Sequence, residues 1–200
     1  MTEITDQTAL RQTYAPAGDV RKKILPRLDQ HAKHFISLSP FVALATHGPE
    51  GTDCSPRGDA PGFVRIVDDK TLLMPDRRGN NLLDSLSNVL VSPQVGLLFF
   101  VPGINETLRV NGRARVVTDP ALLASMESHN ALPQSAMEIT IDQVYFHCGR
   151  AILRGDLWNP EKKVERGTFP TLGRIIADQI AGIDADQADK GLADAYTRLG

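Results

Sequence analysis

The chain has 200 residues, 42% hydrophobic and 23% charged, with a formal net charge of −2. That length suits one good core with appendages, and the balance gives no whole-molecule field for nucleic acid or an anionic membrane. No apolar run approaches the about 20 residues of a bilayer span and the polar start lacks a secretory pattern, so a cytoplasmic globular protein is expected.

Met1 to Asp19 is polar, contains Pro16 and Gly18, and reads as an arm. From Val20 to Ser37 the residues Ile24, Leu28, Ala32, Phe35 and Ile36 fall on one helical stripe, which Pro26 divides into two short helices. The middle of the chain reads as strands. Phe41 to Thr46, Thr52 to Arg57, Phe63 to Val67 and Thr71 to Met74 are separated by turn residues, with Asp68-Asp69-Lys70 as a tight hairpin. Val95 to Val101 is continuously apolar and suits a strand buried on both faces. Thr107 to Val117 alternates, with Leu108, Val110, Ala114 and Val116 opposed to Arg109, Asn111, Arg113 and Arg115. Met137 to Ile141 and Val144 to Phe146 follow.

About seven strands at short intervals predict a mainly β fold, an antiparallel barrel with peripheral helices. One helix is expected from about Asn81 to Leu90, burying Leu82, Leu83, Leu86, Val89 and Leu90. A short helix is expected over Pro120 to Ser128, and two small outer helices over Leu172 to Leu199.

The chemistry-bearing stretches lie at strand ends. Pro75-Asp76-Arg77-Arg78-Gly79-Asn80-Asn81 closes a strand and opens the leucine-rich helix, with Asn80 or Asn81 as candidate N-cap. Free N–H groups at a helix start, preceded by two guanidinium forks, suit a phosphate; a solvated turn with a polar cap is the plainer reading. The segment is not a Walker loop, since no Gly-Lys-Ser/Thr follows. Ser55 and Arg57 share a strand face, and Gly58 permits close approach of a flat ligand; an Arg57–Asp59 surface pair is the alternative. Glu106 to Gly112 carries more positive charge on its polar face than solubility requires, although a wet sheet face looks similar. Cys54 and Cys148 are expected as reduced thiols, and neither they nor His31, His34 and His129 have metal-ligand spacing. His147 and Cys148, adjacent on a strand, point to opposite faces and make no nucleophile–base pair. Trp158 suits a core or interface plug, or an indole at the edge of a flat cofactor.

Taken together, Leu38-Ser39-Pro40-Phe41, Ser55-Pro56-Arg57-Gly58-Asp59, Pro61-Gly62-Phe63-Val64 and Pro75 to Asn81 resemble the pyridoxamine 5′-phosphate oxidase-like, FMN-binding split-barrel superfamily. Pro102-Gly103, Glu106 to Gly112, His147-Cys148 and Leu157-Trp158-Asn159-Pro160 continue the match in order. The resemblance implies a six-stranded antiparallel split barrel over 38–160, with N-terminal arm and helices over 1–37 and a helical extension packed on the barrel over 161–200. It implies a homodimer with two FMN molecules at the interface. Ser55, Arg57, Gly58 and Asp59 would lie along the flavin, the Arg77 to Asn81 turn with Arg77, Arg78, Asn80 and Asn81 would bind the phosphate, and Met74, Pro75, Asp76 and Trp158 would be further cofactor-binding residues. Glu106, Arg109 and Asn111 would come from the partner subunit. The chain ends Tyr196-Thr197-Arg198-Leu199-Gly200 and lacks the C-terminal Arg-and-Pro strand of the authentic oxidases, so oxidation of vitamin B6 is not implied.

The function expected on this basis is an FMN-dependent oxidoreductase acting on a small molecule, with no metal and no protein nucleophile. A non-catalytic flavin or haem carrier, or an NAD(P)H-dependent flavin reductase, is the alternative.

Overall fold

A computed structural model describes residues 3–16 and 18–198, so Met1, Thr2, Ala17, Leu199 and Gly200, in the expected arm and last helix, lie outside the description. The strands are β1 (Phe41–Gly48), β2 (Gly51–Gly58), β3 (Arg65–Asp68), β4 (Thr71–Asp76), β5 (Gln94–Phe100), β6 (Thr107–Val117) and β7 (Ser135–His147). They form one antiparallel sheet in the order β2-β1-β5-β6-β7-β4-β3. This is a split barrel of seven strands rather than six. No backbone ladder joins the β2 edge to the β3 edge, so the sheet is not closed.

Period-two apolar patterning sets the inner face. Val42 and Leu44 of β1, Leu97 and Phe99 of β5, Leu108 and Val110 of β6 and Ile139 of β7 are all essentially inaccessible. Each such side chain contributes about 1.5–3 kcal/mol on burial. Helix α2 (Gln30–Leu38) covers the core with Ala32, Phe35 and Ile36, and Phe35 meets Phe146 edge-on at 5.4 Å. Asp29 caps α2 by accepting from the Ala32 amide at 2.8 Å. The Pro26 division is present: a 3₁₀ turn over Gly18–Lys23 precedes α2.

Five expectations are corrected. The N-terminal arm contains a helix, α1 (Gln7–Thr13), capped by Asp6; the short polar helix has no apolar stripe to betray it. β5 is buried on one face and half-buried on the other, whereas β4 is the strand buried on both. Its second face, at Leu73, packs with Leu123, Met126 and Ala136 beneath α4 (Pro120–Ala124). The last two runs are one strand, β7, whose extra residue Asp142 forms a bulge opposite Asn111 and Gly112. The leucine-rich helix, α3 (Asp84–Val91), starts later than expected, and Leu83 occupies the N-cap in a left-handed conformation at φ 60° without a side-chain cap. Leu82, Leu83 and Leu90 are exposed; Val89 is buried and Leu86 partly buried as expected, and the unexpected buried residue of α3 is Ser85.

α3 lies across β1, where the Asn88 amide donates to Thr46 Oγ1 at 3.1 Å. Helix α5 (Arg150–Gly155), unsignalled by periodicity, follows β7. Helices α6 (Leu172–Gln179) and α7 (Ala185–Tyr196) pack on each other, the Gly173 amide donating to Asp189 at 2.8 Å. Among the described residues no helix is long and apolar enough to cross a membrane.

Candidate functional site

The site lies where the open sheet curls back on itself. β2 and β4 stand first and sixth in the strand order, yet side chains join them. Arg57 Nη1 of β2 meets Asp76 Oδ1 of β4 at 3.0 Å, and Arg77, just past β4, donates from Nε to Asp59, just past β2, at 2.6 Å. The split is thus bridged by exchanged ion pairs where a closed barrel would have backbone hydrogen bonds.

Both pairs are largely shielded. Asp59 is 3% exposed at its side chain and Arg77 17%. Burial alone would raise the Asp59 pKa, but the Ala60 amide, the Ser128 hydroxyl and Arg77 together hold its carboxyl below the ordinary range. Arg57 Nε and Arg77 Nη1 are buried with no partner. Orphaned guanidinium N–H groups are costly without an acceptor, so these donors are poised for one.

Alongside the seam is a cavity of about 440 Å³, a typical size for a small-molecule site. Ser55, Arg57 and Asp76 form one wall and Arg77 to Asn81 with the start of α3 form another, while Ala131 to Gln134 close the third. The turn into α3 is locally strained: Asn81 and Leu83 both have φ of 60°. Asn80 Oδ1 accepts from the Leu82 amide at 3.1 Å and so braces this turn instead of capping the helix. No side chain caps α3, so its first amides, which belong to residues lining the cavity, have no side-chain acceptor.

Seven expected residues line this cavity: Ser55, Arg57, Asp76, Arg77, Arg78, Asn80 and Asn81. Others are placed elsewhere. Asp59 opens on an adjoining 160 Å³ cavity that shares Arg77. Met74 and Pro75 are buried within β4, and Gly58 packs close to the Pro40 carbonyl. Trp158 is half-buried and donates from its indole to the Ile104 carbonyl at 2.9 Å, in keeping with a plug. The pairings Leu98–Arg109 and Gly96–Asn111 put Arg109 and Asn111 on the outer face, opposite the face that carries Arg57 beside Val42. Glu106 is exposed just before β6. One chain therefore does not bring these three residues to the cavity.

Sequence reasoning missed Asp53 and Ser85. The Asp53 carboxylate accepts from Ser55 Oγ at 2.8 Å and from Ser85 Oγ at 2.9 Å, tying β2 to α3 behind the cavity. The face shared by Ser55 and Arg57 extends to Asp53 by the same period of two, and Ser85 is a hydroxyl inside an apolar helix stripe. The 131–134 wall has no comparable signal.

The pyridoxamine 5′-phosphate oxidase family model matches residues 28–148, more than half of the chain. No curated protein matches. Among solved structures, HupZ of Group A Streptococcus is 17% identical, covers 58% of this chain and 91% of its own, and has a TM-score of 0.49. A protein of the pyridoxinephosphate oxidase family from Clostridium acetobutylicum, related to general stress protein 26, is 12% identical over 59% and 86%, with a TM-score of 0.45. An FAD-binding protein from Mycobacterium smegmatis is 17% identical over 62% and 97%, with a TM-score of 0.42.

Proposed function

The chain belongs to the pyridoxamine 5′-phosphate oxidase family, and on that premise we propose that it is an FMN-dependent oxidoreductase of the cytoplasm, acting as a homodimer on a small molecule. The observation that carries this reading is the pair of seam arginines with buried, unpartnered N–H groups beside an arginine–asparagine turn on a 440 Å³ cavity. The donor set fits a flavin mononucleotide. Arg77, Arg78 and the amides opening α3 suit a phosphate dianion, and Ser55 with Arg57 suits the polar edge of a flat ring.

When bound, the flavin supplies the redox chemistry. The chain's own residues bind and orient. Asp76 holds Arg57, Asp59 holds Arg77, and Asp53 holds Ser55, so these three cavity-lining donors are each held by a carboxylate. The Arg57 guanidinium is placed to stabilise negative charge that develops on an electron-accepting ring. A second subunit is accommodated on the outer sheet face, where exposed Phe41 and half-buried Ala43, Leu98 and Phe100 form an apolar strip. Glu106, Arg109 and Asn111 lie on or beside this face, available to the partner's flavin.

Calorimetric titration with FMN and with riboflavin tests the reading. Tight stoichiometric binding of FMN, with riboflavin at least about tenfold weaker for want of the phosphate, is expected. Equal affinities would remove the phosphate role of Arg77 and Arg78.

A further inference from the structure

A second polar constellation lies on the outer face, at the end of β6 and β7. Arg109 is directly opposite Tyr145, and its Nη1 donates to the phenolic oxygen at 3.1 Å. Segment 23–25 runs beside β7, anchored by paired backbone hydrogen bonds between Leu25 and Val144. That anchor brings Lys23 Nζ to 5.9 Å from the centre of the Tyr145 ring, while Arg109 Cζ lies at 5.7 Å. His147 completes the group, with its ring 5.1 Å from that of Tyr145.

The charge balance here is unlike the rest of the strand. Further along β6, Arg113 pairs with Asp142 and Arg115 with Glu138, each across to β7. Lys22, next to Lys23, pairs with Asp19. Among the described residues neither Lys23 nor Arg109 has a carboxylate partner, and Glu106, just before β6, is exposed and pairs with neither. Two cations therefore converge on one tyrosine without neutralisation. Because the Tyr145 oxygen accepts from Arg109, its own O–H is left to donate elsewhere.

We propose that Lys23, Arg109 and the Tyr145 hydroxyl form an anion-binding site that takes the carboxylate or phosphate of a small molecule. The two cations supply charge, the guanidinium supplies directed N–H groups, and the phenol supplies a neutral donor. Burial, then Arg109 and Lys23, hold the His147 imidazole below its ordinary pKa of 6.5, so it adds no third positive charge at neutral pH. The site is on the opposite face of the sheet from the same chain's seam cavity; Arg109 is also offered to a partner's flavin under the proposed function, whereas Lys23 is not, so Lys23 separates the two.

His147 is the built-in reporter. An anion seated between Lys23 and Arg109 offsets the two charges that help depress the imidazole, so its pKa rises on binding. The experiment follows the His147 ring proton by NMR across pH, at constant chloride ionic strength, with inorganic phosphate in one arm and malonate in the other. It is run on the FMN-loaded and on the flavin-free full chain. Saturable binding that raises the His147 pKa is expected in at least one arm, at least about tenfold weaker in Lys23→Met and Arg109→Met. Saturation by phosphate alone or by malonate alone assigns the ligand's anionic group. A non-saturating response, or saturation unchanged in both variants, overturns the proposal. Lys23 is exposed and is not among the residues assigned to the flavin, so Lys23→Met leaves the fold intact and FMN titration of that variant reads the seam site separately.

Discussion

Arg57 and Asp76 belong to strands that never pair, yet they meet at 3.0 Å. The neighbouring contact reverses the arrangement, with the arginine after β4 and the acid after β2. The same side chains that wall the candidate site therefore close the barrel. Curling of the sheet and assembly of the site are one event, which couples stability to ligand binding.

Asp59→Asn leaves the Arg77 guanidinium mostly buried without its counter-charge. A cost of about 2–4 kcal/mol is expected, between that of a surface pair and a fully buried one. Urea unfolding with an unchanged m-value measures it. Removing the exposed Arg113–Asp142 pair by Arg113→Met should cost less than about 1 kcal/mol.

Gly112 faces the β7 bulge, and a Cβ there would sit 2.2 Å from the Thr140 carbonyl oxygen. The obstacle is backbone, so Gly112→Ala must shift the ladder and should lower stability by about 1–3 kcal/mol. Thermal unfolding checks it, with loss of amide protection centred on Thr140 and Ile141.

Much of this architecture was legible in the sequence because its signals are local. Alternation at Leu108, Val110 and Ala114 and the turn at Asp69-Lys70 announce strands, and the Arg77–Asn81 stretch announces a polar turn. What escaped depends on long-range geometry. The late start of α3 follows from the left-handed Leu83, a conformation that leucine does not advertise. The acids behind the site, Asp53 above all, acquire their role only when β2 is brought against α3. Arg109 and Asn111 look like companions of Arg57 along the chain, and only strand pairing shows that they occupy the other face.

Acid sensitivity has a definite sign. His147 has a lowered folded pKa, so the unfolded chain binds more protons as pH falls through 6.5, and stability drops below that point until the folded pKa is reached. The Asp59 carboxyl is also lowered, so its contribution is present above the ordinary carboxylate value and is lost as pH falls through the folded one. Two acid-side losses are expected in a stability–pH profile, and His147→Gln should remove the one nearer neutrality alone.

Arg57→Met removes a charge-assisted donor from the cavity wall and leaves Asp76 unpaired. FMN affinity should fall about 10- to 100-fold, from a loss of about 1.5–3 kcal/mol. Fluorescence titration with the flavin reads this directly.

The most direct test is the absorbance spectrum of the purified protein, followed by titration of the stripped chain with FMN. The account predicts flavin bands and binding of one FMN per chain. A colourless protein that ignores FMN, or one with a Soret band, would contradict it and return the seam arginines to a purely structural role.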